Sequence, residues 1–64
     1  MKVKTIRAKG QWVKITRKED KSFTLARGWE GEFEAHDVQE FANKWMPTWK
    51  DAITRAEQMI EDYK

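Results

Sequence analysis

The 64-residue sequence predicts an α+β fold, an antiparallel sheet of three or four strands followed by two helices packed on one sheet face. Three observations predict it. Between residues 11 and 26 apolar and polar side chains alternate with a period of two. From residue 38 onward apolar residues recur at helical spacing. Glycines punctuate the first half at 10, 28 and 31, and the only proline, Pro47, divides the second half.

The first strand is the chain before Gln11. Lys9-Gly10 reads as a two-residue turn with glycine at positive φ, which sets Ala8 against Gln11, Ile6 against Val13 and Arg7 against Trp12. Lys4 then shares the apolar face with Ile6, which suits a sheet edge, where a charge discourages edge-to-edge pairing. In the second strand, 11–17, Val13 and Ile15 share one face, and Trp12, Lys14 and Thr16 the other. In the third, 22–26, Phe23 and Leu25 oppose Ser22, Thr24 and Ala26. A three-residue loop, Lys18-Glu19-Asp20, pairs Val13 with Leu25 and Ile15 with Phe23. Glu32-Phe33-Glu34 reads either as a short fourth strand or as the approach to a helix.

Helix one is predicted over 37–46. Asp37 followed by Glu40 fits a capping pattern, Val38, Phe41, Ala42 and Trp45 recur at i, i+3, i+4, i+7, and Pro47 ends it. Helix two is predicted over 48–63, with Thr48 as N-cap and an apolar stripe of Trp49, Ala52, Ile53, Ala56, Met59, Ile60 and Tyr63. The whole chain is expected to form one small domain. The expected core is Ile6, Val13, Ile15, Phe23, Leu25, Phe33, Val38, Phe41, Trp45, Ile53, Ala56 and Ile60.

A chain this short buries a modest core, and the absence of cysteine removes disulfides and thiolate metal sites. Four Trp, three Phe and one Tyr are the expected substitute for such staples, with self-association through an edge strand or the helix-two stripe as the other route. The start, MKVKTIRAKG, is basic without an apolar run behind it, and no segment reaches the ~20 apolar residues of a membrane span. A cytoplasmic protein without a membrane partner is the expectation. No cofactor, metal or catalytic centre is expected either. Glu30, Glu32, Glu34, His36, Asp37 and Glu40 crowd around the only histidine, but they spread over a loop and an expected helix start.

Net charge is +2, yet residues 1–28 hold nine basic side chains against two acids, while residues 29–64 hold nine acids against four bases. The asymmetry reads either as a basic binding face or as two surfaces that attract each other within one fold. With helices on one sheet face only, the other face exposes Arg7, Trp12, Lys14, Thr16 and Thr24. A guanidinium over the Trp12 indole would gain about 0.5–1 kcal/mol. Basic side chains neutralise phosphates, hydroxyls donate to phosphate oxygens, and a flat indole stacks on bases. The expected nucleic-acid-binding residues are Arg7, Lys9, Trp12, Lys14, Lys18, Lys21, Thr24 and Arg27.

The layout of three strands followed by helix, with Gly10-Gln11-Trp12 and Arg27-Gly28-Trp29, resembles the small arm-site DNA-binding domains of tyrosine integrases. The second helix and the acidic run over 31–40 depart from that layout, so family membership does not follow. The competing expectation is a protein-binding module of the kind found among small phage and mobile-element proteins. Such a protein would inhibit a host protein through Trp29, Glu30, Glu32, Glu34 and Trp49, with the acidic half mimicking DNA.

Overall fold

The structure is a computed structural model and describes residues 1–62. It has four antiparallel strands, β1 (Lys2–Ala8), β2 (Gln11–Arg17), β3 (Phe23–Trp29) and β4 (Asp37–Phe41), in sheet order β1-β2-β3-β4, followed by one helix, α1 (Trp49–Asp62). The helix lies over β2 and β3 on one face of the sheet, and the opposite face has no helical cover.

The β1–β2 hairpin has the expected register, with Ile6 against Val13 and Arg7 against Trp12. Its two turn residues both take positive φ, 52° at Lys9 and 71° at Gly10. That twist matches the right-handed twist of the strands it joins. The β2–β3 loop is longer than expected. Lys18 N–H donates to Ser22 O, Lys21 N–H to Lys18 O, and Lys21 occupies the left-handed region at φ 69°. The Asp20 carboxylate accepts from both the backbone N–H and the hydroxyl of Ser22. The extra loop residues move the register by two, so Ile15 pairs with Leu25 and Val13 with Arg27. A shift of two preserves which face each side chain occupies.

Helix one does not form. Residues 37–41 pair with β3 as β4, placing Phe41 beside Phe23 and Gln39 beside Leu25. The expected helical face is not buried: Val38 is 57% exposed and Trp45 74% exposed. Pairing satisfies the outer edge of β3, whose core-facing residues Phe23, Leu25 and Arg27 are all buried. On that same face Gln39 Oε1 accepts from Nε and Nη2 of Arg55 on α1 at 3.2 and 3.0 Å. A polar strand residue thus serves a helix partner, which a search for apolar periodicity passes over. One turn survives after β4, where Ala42 O accepts from the N–H groups of Trp45 and Met46, and Pro47 ends it. Residues 32–34 lie in a loop, not a strand.

The core consists of Val13, Ile15, Phe23, Leu25, Met46, Ala52, Ala56, Met59 and Ile60, with Ile6, Phe41, Trp49 and Ile53 packed against it. Phe33, expected inside, is 101% exposed. The helix begins as expected, with Thr48 Oγ1 accepting the Asp51 N–H and donating to its carboxylate. Of its apolar stripe, Ala52, Ala56, Met59 and Ile60 lie in the core and Trp49 and Ile53 pack against it. Tyr63, expected on the same stripe, lies outside the described residues.

Candidate functional site

Strand parity places three cross-strand rows on the uncovered face: Arg7–Trp12–Gly28, Thr5–Lys14–Ala26–Val38 and Val3–Thr16–Thr24–Glu40. The first row is the most elaborate. The Trp12 indole leans across β3 onto Gly28, so close that a Cβ built there would come within 2.2 Å of Cζ2. Only glycine allows this approach. The indole N–H is shared between the carbonyls of Trp29 and Glu32, each at 2.9 Å. Trp29 and Glu32 bracket a turn in which Glu32 N–H donates to Trp29 O and Gly31 takes φ 88°. A second clasp, His36 Nε2 to the Glu32 carboxylate at 2.9 Å, holds the same loop from its far end. His36 N–H then donates to Arg27 O and restarts the ladder into β4.

Between this loop and the β1–β2 hairpin runs a groove of about 320 Å³, lined by Thr5, Arg7, Trp12 and Lys14 on the sheet and by Glu30, Gly31, Glu32 and Phe33 on the loop. Phe33 stands on its rim fully exposed. At the far end of the hairpin a second groove is lined by Lys2, Arg17, Lys18, Lys21 and Trp49.

The expected nucleic-acid residues divide into four groups. Arg7, Trp12 and Lys14 come together in the first groove, with Thr24 on the same face. Lys9 and Lys18 are ion-paired, with Glu61 and with Glu40 respectively. The Glu40 carboxylate, hydrogen-bonded at 3.0 Å, holds the Lys18 ammonium above the usual lysine value. Lys21 sits in the β2–β3 loop. Arg27 departs from expectation: it is 2% exposed on the covered face, with Nη1 donating to Gln11 Oε1 at 3.1 Å and the guanidinium 5.2 Å from the Trp29 ring. The cause is the length of β3, which runs to Trp29 and not to residue 26, so Arg27 falls within the strand on the same face as Phe23 and Leu25. Nor does Arg7 sit over Trp12, since the indole leans onto β3 instead.

The alternative set also changes. Trp29 is half-buried under Arg27, and Trp49 is half-buried with its ring 5.1 Å from Phe23 at 79°, so each also packs within the fold. Glu30, Glu32 and Glu34 are exposed on the loop. Among the described residues the exposed aromatic rings are Phe33 and Trp45, both expected in the core. Trp45 is exposed because β4 replaces the expected helix, a pairing that has no apolar alternation to announce it, and Phe33 is exposed because it lies in the loop before β4.

Among the described residues no three His, Cys, Asp or Glu side chains gather closely enough to hold a metal ion, and no helix is long and apolar enough to cross a membrane. No family model, no curated protein and no solved structure matches this chain.

Proposed function

We propose that the protein is a non-catalytic binding module that engages nucleic acid through the uncovered face of its sheet and the adjoining β1 edge. One observation carries the reading. Lys2, Lys4, Arg7, Lys14 and Lys21 have no ion-pair partner among the described residues, and all five belong to the β1–β2 ribbon or the loop that follows it. The acidic half neutralises the ribbon at Lys9–Glu61 and Lys18–Glu40, exposed pairs worth little, and leaves these five cations unpaired. A ribbon of cations with threonine hydroxyls between them suits a phosphate backbone, whose binding is driven by counterion release.

The test is anisotropy of a labelled oligonucleotide at rising salt. Affinity should fall steeply as salt rises, and Lys14→Ala should reduce the slope of log K against log [salt] by about 0.7–0.9. Affinity that does not change with salt would rule the reading out.

A second reading is favoured by the exposure of Phe33 and Trp45. With Glu30 and Glu34 beside it, Phe33 would suit a basic, apolar surface on a host protein, as an inhibitor that mimics DNA requires. Capture of one partner that survives Lys14→Ala and is lost on charge reversal at Glu30 and Glu34 would favour this reading over the first.

A further inference from the structure

We infer that the groove between Trp12 and the 30–33 loop receives a single unstacked nucleobase, so that the protein binds single-stranded nucleic acid in preference to duplex. The inference rests on the nucleic-acid reading above and names the form of ligand that reading leaves open.

The two walls of the groove differ. On the sheet side stand Arg7 and Lys14, both without ion-pair partners among the described residues, with the Thr5 hydroxyl opposite Lys14. This is the wall for the phosphates that flank a base. On the loop side stand Phe33 and the Glu30 carboxylate, an aromatic face and an acceptor. Nucleobases present both a π-face and N–H groups, and a carboxylate accepts from an exocyclic amino group. Trp12 forms a fixed surface between the walls, because its indole N–H is held by two carbonyls and its ring is seated on Gly28. A surface already ordered loses little conformational freedom on binding. Phe33 is wholly exposed, so a base lying against it removes apolar area that the fold itself leaves in water.

Two other occupants fit less well. An extended peptide binds by adding to a sheet edge through its backbone, but the groove lies on a sheet face where β1, β2 and β3 are already paired. The nearby carbonyls of Trp29 and Glu32 are occupied by Trp12. A duplex presents phosphates to Arg7 and Lys14, but its bases are stacked on both faces and cannot enter.

The experiment compares three labelled ligands by anisotropy: a single strand, the duplex of the same sequence, and a strand of equal length made of abasic sites. The wild-type protein should bind the base-bearing strand about 5- to 150-fold more tightly than the abasic strand. Phe33→Ala should bring the base-bearing strand down to the abasic level and leave the salt slope unchanged; an exposed loop side chain can be removed without loss of the fold. Lys14→Ala should weaken both strands alike. Equal affinity for base-bearing and abasic strands would overturn the base site while leaving the phosphate reading intact. No binding of any of the three at low salt would overturn both.

Discussion

Gly28 and Gln11 are two positions at which the fold leaves little room for substitution. A methyl group at 28 would meet the Trp12 ring at 2.2–2.5 Å and the Glu34 carbonyl at 2.9 Å. Neither is the free end of a flexible chain, so Gly28→Ala should cost about 1–3 kcal/mol in denaturant unfolding and displace the Trp12 indole N–H resonance. An unchanged resonance would mean that the indole does not rest on Gly28. Gln11 is 2% exposed and joins strand to helix: Nε2 donates to Ile60 O and Oε1 accepts from Arg27, each at 3.1 Å. Gln11→Leu keeps the volume and strips a buried guanidinium of one acceptor. The expected loss is about 2–3 kcal/mol. A neutral result would show that Arg27 does not depend on Gln11.

Among the elements, the β2–β3 loop carries two predictions. Lys21 holds a left-handed φ of 69°, a region that asparagine adopts more readily than lysine. Lys21→Asn should raise stability by about 0.5–1 kcal/mol, and a loss would show that the lysine side chain contributes more to the fold than its backbone geometry costs. The same loop responds to pH at both extremes. Hydrogen bonds from the Ser22 hydroxyl and N–H hold the Asp20 carboxyl below its ordinary value of 3.8. Its contribution is therefore complete above that value and lost as pH falls through the lower folded one. Lys18 is raised above 10.5, so its contribution is complete below that value and lost as pH rises through the higher one. Thermal unfolding of Ser22→Ala should show a shallower decline on the acid side than wild type and the same decline on the alkaline side. Identical acid limbs would remove Asp20 from the account.

The same elements show what the sequence made legible. The β1–β2 hairpin was readable residue by residue, because Lys9-Gly10 fixes both turn type and register. The faces of β2 and β3 were readable although their pairing was displaced by two, since period-two patterning determines face and not register. β4 was not readable. Its core-facing residues are Asp37, Gln39 and Phe41, two of them polar, while Val38 points away, so spacing imitated a helix and only the unpaired edge of β3 argued otherwise. The site inherited both outcomes. The hairpin brings Arg7, Trp12 and Lys14 to one face as expected, the extension of β3 to Trp29 buries Arg27, and Phe33 joins the groove only because the loop after β3 folds over Gly28.

At the scale of the whole molecule, one helix covers one face of a four-stranded sheet, and the charge of the chain divides with the strands. β1 and β2 contribute exposed cations, and the loop after β3 contributes exposed acids, so the groove lies where the two meet. The central claim is that this uncovered face is the binding surface. The most direct test is a two-dimensional ¹⁵N–¹H spectrum of the labelled protein titrated with a short single-stranded oligonucleotide at low salt. Shifts should concentrate at Thr5, Arg7, Lys14, the Trp12 indole N–H and Phe33, with α1 unperturbed. Shifts confined to α1 and the Trp45 turn, or a spectrum that does not change, would contradict it.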